Sequence, residues 1–244
     1  MKLMWMIMAA LAACPLLAQD SPSGYLGNLS LELAAVIPPP PESGSPEDIA
    51  DRDTYKASRT GVGSERWALA AKDTVEGLGI VGRMQCATGR SLTPKTAPMT
   101  LRLIGKSQHD LTLLLLQLKQ HYDRPRPYST DALDAPLCET VAPEKRGQGR
   151  SYPSGHAAQA MLDGYLLASL LPDRAAAILT RARQYGDERV VCRVHYPSDV
   201  KASQLLASAL FSRLQAEPGY QRDWKSAQKE LASNNKSAAA QCAD

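Results

Sequence analysis

The sequence predicts an all-α, single-domain helical bundle. Ala and Leu are abundant, while aromatic residues make up 5% of the 244 positions and Phe211 is the lone Phe. Ala and Leu favour helices, whereas β-rich chains draw on aromatic and β-branched residues. No strand-like alternation runs long enough to build a sheet. There is no internal repeat and no linker that would set off a second domain, and a chain of 244 residues can bury one substantial core.

The N-terminus, MKLMWMIMAALAACPLLAQD, has one Lys, then an apolar run too short for a bilayer span, then small residues. This pattern reads as a signal peptide over residues 1–18. Pro15-Leu16-Leu17-Ala18 fits an ordinary cleavage region ending after Ala18. Leu11-Ala12-Ala13-Cys14 fits a lipoprotein box, which would leave a lipid anchor on Cys14 at the outer membrane. Residues 19–47 read as a polar arm, with Pro38-Pro39-Pro40-Pro41 as extended chain on the surface.

From Asp48 the pattern turns helical, and a catalytic domain is expected over 48–217. Residues 48–60 and 64–76 read as short helices separated by Gly61 and Gly63. Leu101 to Tyr122 contains the run Leu111-Thr112-Leu113-Leu114-Leu115-Leu116, expected to be buried nearly all round and to end before Pro125 and Pro127. Residues 128–152 read as loop. Ser154 is placed as the N-cap of a helix to Leu171, which Pro172 stops. Asp173 opens another toward Val191, and Ser198 is placed as the cap of a last long helix to about Gln215. Residues 218–244 read as a polar tail containing one amphipathic helix with a frayed end.

A net charge of +3 with both signs interspersed is too mild for a nucleic-acid surface. Once Cys14 is set aside, Cys86, Cys138, Cys192 and Cys242 remain. An even count in an exported chain implies two disulfides, with three pairings open. No Cys/His spacing suggests zinc, so neither a metal nor a cofactor is expected.

Three separated clusters carry chemistry: Lys119 followed after six residues by Arg126-Pro127; Pro153-Ser154-Gly155-His156; and Arg189, then His195, then Asp199. A phosphoryl group spreads charge over several oxygens, so its site needs fixed cations and backbone N–H donors. Arg offers a planar fork and Lys a point charge. Ser154-Gly155-His156 at a helix start aims N–H groups and the positive end of the dipole at an anion. A neutral imidazole can attack phosphorus, and a protonated one can give a proton to the leaving alcohol. Asp199, four residues after His195, is placed to hold that imidazole's N–H. Each cluster alone has a bland reading, as helix end, cap or surface charge; together and in this order they are specific.

Together the three clusters resemble the signature of the type 2 phosphatidic acid phosphatase superfamily. Asp51 to Tyr55, Tyr122, Arg124, Ser151-Tyr152 and Ser198-Asp199-Val200 narrow the resemblance to bacterial class A non-specific acid phosphatases, over roughly residues 30–215. The resemblance implies a helical bundle of the acid phosphatase/vanadium haloperoxidase type and a periplasmic or secreted location. It also implies hydrolysis of varied phosphomonoesters through a phosphohistidine, with phosphotransferase activity as an extension. His195 is implied as nucleophile, Asp199 as its orienting partner and His156 as general acid. Lys119, Arg126, Ser154, Gly155 and Arg189 are implied as the phosphate cradle. A Cys138–Cys192 disulfide is implied as well, and the expected assembly is a homo-oligomer, a dimer.

Three positions depart from the family pattern: Glu188 where Ser is usual, Arg193 where Gly is usual, and Tyr196 where Trp is usual. Glu188 is expected to face solvent. Competing readings are a vanadium-dependent haloperoxidase, a lipid-phosphate phosphatase, and an anion-binding relative without catalysis. Chain size argues against the first, the lack of spanning runs in the mature chain against the second, and the two histidines with Asp199 against the third.

Overall fold

The computed structural model describes residues 23–27, 33–130, 136–141 and 150–233, so the expected signal peptide, both cleavage readings and Cys242 lie outside the described residues. The order is α1 (Pro46–Ala57), α2 (Glu65–Lys72), α3 (Leu78–Thr88), α4 (Pro98–Tyr122), α5 (Pro127–Thr130), α6 (Gly155–Leu170), α7 (Ala175–Val191), α8 (Pro197–Leu214) and α9 (Pro218–Ser233). A single bridge pairs Pro125 with Arg150, and no strand occurs among the described residues. The fold is all-α, as the composition predicts.

α6 is the central helix. Leu162, Leu166 and Leu167 are fully buried, and α4, α7 and α8 surround it. Two close approaches depend on glycine. A Cβ on Gly164 would stand 2.6 Å from Ala182 Cβ, and one on Gly186 would stand 3.2 Å from Ala157 Cβ. The missing side chains let α7 lie against α6 nearly backbone to backbone. α4, expected to be buried nearly all round, is instead one-sided. Leu111, Leu114, Leu115 and Leu118 pack inward, while Leu113 and Leu116 are 37% and 55% exposed. One polar pair crosses the core: Gln108 Nε2 donates to both oxygens of Asp163, at 3.0 and 2.9 Å. Burial pushes the Asp163 carboxyl well above the usual carboxylate range.

The N-terminal arm is pinned where it passes the bundle. Tyr122 Oη donates to Ile37 O at 3.1 Å and Tyr152 Oη to Pro38 O at 2.6 Å, while Pro38 and Pro39 stay exposed. α9 closes the far side, burying Tyr220, Ala227 and Leu231. Its Glu230 caps α4, where Ala97 supplies no side-chain cap. One carboxylate oxygen accepts from Met99 N at 2.8 Å; the other accepts from Thr100 N at 2.9 Å and Thr100 Oγ1 at 2.8 Å. No helix among the described residues is long and apolar enough to cross a membrane.

Candidate active site

Three chain reversals bring the clusters together. α4 ends at Tyr122 through left-handed Asp123 (φ 42°), and Lys119 sits in the last turn. α6 starts after Ser154, whose Oγ accepts from Ala157 N at 3.5 Å. The N–H groups of Gly155 and His156 are therefore left at the helix head without intrahelical acceptors. α7 ends with Arg189 in its last turn, and the chain turns at Arg193 into α8. Ser203 Oγ donates to Ser154 O at 2.7 Å and Ser154 N donates to Asp199 O at 3.2 Å, tying the starts of α6 and α8 to each other.

These reversals enclose a cavity of about 570 Å³, lined by Lys119, Arg126, Gly155, His156 and Arg189 and by Thr74, Glu76, Glu139 and Thr140. Ser154 lies fully buried beneath it. His195 and Asp199, 1% and 0% exposed, sit behind Arg126. Arg126 Nη1 is 2.7 Å from His195 Nε2, and His195 Nδ1 is 3.2 Å from Asp199 Oδ2. A guanidinium can only donate, so Nε2 carries the lone pair and Nδ1 carries the proton toward Asp199.

Asp199 is held from several sides. Oδ2 also accepts from Ser151 Oγ at 2.5 Å and from Tyr196 N at 2.9 Å, and Oδ1 accepts from Arg124 Nη1 at 2.7 Å. Arg124 in turn reaches Asp51 at 2.9 Å and lies 4.3 Å over the Tyr196 ring. Asp199 rather than Ser198 thus closes the head of α8. Ser198 sits one residue inside the helix, donating from Oγ to Asp51, so its expected capping role is corrected.

Electrostatics favour an anion here. Burial, then the Arg126 charge, lowers the Lys119 ammonium to about 7. Burial first, then Arg189, Arg126 and Lys119, lowers His156 to about 3, and His195 is likewise held well below the usual imidazole range. His156 Nε2 donates to Thr74 O at 3.2 Å and lies 3.4 Å from Glu76 Oε1.

Two departures take on structural roles. Glu188 is 3% exposed rather than solvent-facing, because its helix face packs under α2, where Arg66 lies 3.7 Å away. It is not among the cavity-lining residues. Arg193 adopts φ 66°, a left-handed geometry that suits glycine; its guanidinium lies 4.4 Å over Tyr55 and donates to Tyr55 O at 3.2 Å. The Cys138–Cys192 disulfide is present and Cys86 is also disulfide-bonded.

Comparison with known proteins follows the same clusters. The PAP2 superfamily profile matches residues 110–215. An acid phosphatase of Zymomonas mobilis subsp. mobilis is 36% identical over 196 residues, covering 80% of this chain and 74% of the relative. A non-specific acid phosphatase of Providencia stuartii is 32% identical, covering 85% of this chain and 84% of the relative. The chain is a class A acid phosphatase-like member of the PAP2 superfamily. Among solved structures, a transmembrane PAP2 type phosphatidylglycerolphosphate phosphatase from Bacillus subtilis shares the fold. The TM-score is 0.50 at 22% identity, covering 79% of this chain and 92% of that one.

In this PAP2 protein several site residues had no signal of their own in the sequence. Asp73, fully buried, binds Arg83 at 2.9 Å and Arg181 at 2.8 Å, and so holds the loop that brings Thr74 and Glu76 to the cavity. Glu139 projects from the central loop, where no pattern singled it out. His121 is exposed and packs edge-on against Tyr122, 4.7 Å between rings, away from the cavity. Asp123 pairs with Arg150 at 3.1 Å and not with Arg124. Among the described residues no group of three or more His, Cys, Asp or Glu could hold a metal ion.

Proposed function

We propose that this protein is an exported acid phosphatase that hydrolyses phosphomonoesters through a phosphohistidine on His195. The observation that carries the reading is the Asp199–His195 pair, whose Nε2 lone pair is turned toward Arg126 at 2.7 Å, at the edge of a cationic cavity. When substrate enters, Arg126 exchanges that contact for a phosphoryl oxygen. Lys119, Arg189 and the N–H groups of Gly155 and His156 take the others. Nε2 attacks phosphorus and the P–O ester bond breaks. The leaving oxygen takes its proton from His156 while Asp199 stabilises the imidazolium through Nδ1–H.

His156 needs a proton for this step, and burial with the cavity's cations keeps it neutral in the free enzyme. The incoming phosphoryl charge offsets the cationic part of that push and raises His156 toward protonation as substrate binds, against the burial that is the larger cause. Water then attacks the phosphohistidine, His156 takes the water's proton, and the P–N bond breaks. An alcohol in place of water would give phosphotransfer. The signal peptide over 1–18, the arm over 19–47, the catalytic region over 48–217 and a dimeric assembly belong to the same reading, as does the lipid anchor at Cys14 as the alternative to cleavage after Ala18.

The test is chemical trapping. Rapid quenching with a radiolabelled substrate should yield a base-stable, acid-labile phosphoenzyme mapping to the peptide around His195, with activity surviving chelation. His195→Ala should abolish both turnover and label. His156→Ala should suffer most with alkyl phosphates and least with p-nitrophenyl phosphate, whose leaving group needs little proton assistance. Label on Ser154 would overturn the assignment.

A further inference from the structure

The cationic cavity contains a carboxylate with no task in hydrolysis. Glu139 Oε2 lies 2.5 Å from Nη2 of Arg189, whose side chain is 1% exposed, while the Glu139 side chain is 22% exposed and reaches inward from the loop over 136–141. The other terminal nitrogen of Arg189 makes only a long contact, 3.5 Å to Asp73 O. A carboxylate and a phosphoryl group present the same paired oxygens to a guanidinium fork. Glu139 thus makes the contact that the substrate would need. Its reach is fixed covalently: the preceding residue, Cys138, is bonded to Cys192, which lies three residues after Arg189 and three before His195.

We propose that Glu139 is a tethered competitor that fills the Arg189 subsite in the free enzyme, so that phosphoryl binding must displace it. The proposal rests on the phosphatase reading and deepens it. A competitor that holds the subsite nine-tenths of the time raises the apparent Kd about tenfold. Displacement leaves Glu139 beside the bound phosphoryl group, in a cavity that Glu76 also lines. Two carboxylates lining the cavity disfavour leaving groups with further negative charge, such as a second phosphate, and favour phosphomonoesters of neutral or cationic alcohols.

Glu139→Gln removes the charge at constant size. Glu139→Asp keeps the charge but withdraws it by one methylene, separating occupation of Arg189 from general repulsion at the cavity. Calorimetric titration with inorganic phosphate, which needs no turnover, is paired with steady-state kinetics on phosphoethanolamine and a nucleoside diphosphate. Both variants should bind phosphate about tenfold more tightly than the native chain. The effect on hydrolysis should fall on KM rather than kcat, and Glu139→Gln should narrow the preference for phosphoethanolamine. Unchanged or weaker phosphate binding in Glu139→Gln, with hydrolysis retained, overturns the competitor and leaves the phosphatase reading standing. Phosphate binding to neither form overturns both. Tight binding in Gln with native-like binding in Asp assigns the effect to distant repulsion and also overturns occupation of the subsite.

Discussion

Raising the pH from 6 to 8 should weaken phosphate binding through one side chain, Lys119. Its ammonium sits at the end of α4, donating to Arg150 O at 2.8 Å, with the Arg126 charge beside it, and burial and that charge lower it to about 7. About nine in ten molecules then carry the charge at pH 6 and about one in ten at pH 8. Bound phosphate holds the proton on, so the complex keeps a charge that the free enzyme loses. The Lys119 contribution to affinity is therefore flat below this value and falls as pH rises through it, by up to about tenfold, or ~1.4 kcal/mol, for each unit above 7. Calorimetric titration with phosphate between pH 5.5 and 8.5 reads the effect, with Lys119→Arg as reference because its charge persists throughout. Phosphate's own proton is common to both proteins and cancels in the ratio of their dissociation constants. That ratio should stay level below pH 6.5 and climb above pH 7; parallel curves over the whole range would refute the reasoning.

Two further outcomes concern stability. His156 is held at about 3 in the folded chain against 6.5 in the unfolded one, so the unfolded state takes up more protons between those values and stability rises with pH across that window. At pH 5 the deficit relative to pH 7 is about 2 kcal/mol, and unfolding free energies from urea titration of His156→Gln should show the gap between the two pH values reduced by that amount; an unchanged gap would place the acid sensitivity elsewhere. The Cys138–Cys192 bridge closes a separation of 54 residues, and Cys138→Ser should cost roughly 4 kcal/mol on the chain-entropy account. Unfolding free energies measured without reductant check this, and a loss under about 1 kcal/mol would mean that the unfolded chain gains little from release.

Much of the site was legible because its residues sit at helix ends, where sequence carries local chemistry. Ser154 announced the start of α6, and the prolines after Arg124 and Arg126 announced the end of α4. Less legible were features set by partners distant in sequence. α3 gives a weak signal, with Gly79 and Gly82 inside it and a start at Gly77 in positive φ (58°); its packing against α6 and α7 supplies the stability that propensity lacks. The Leu run of α4 looked buried all round because periodicity does not say how many neighbours a helix has, and Leu113 and Leu116 face outward. Glu188 read as a solvent charge because nothing in its neighbourhood announces that α2 packs over it. Arg124 could be recognised by its place beside the first cluster, but its bridge from Asp51 to Asp199 spans 73 and 75 residues and exists only in the fold.

The cap that Glu230 places on α4 changes what the C-terminal stretch is for. The helix capped at Met99 and Thr100 is the one whose opposite end presents Lys119, so a proteolytic clip or premature stop near 217 would fray a helix more than a hundred residues upstream. It would also expose the apolar surface that Tyr220, Ala227 and Leu231 cover. Affinity tags and fusion partners therefore belong beyond residue 233, and shortened expression variants should retain α9 in full.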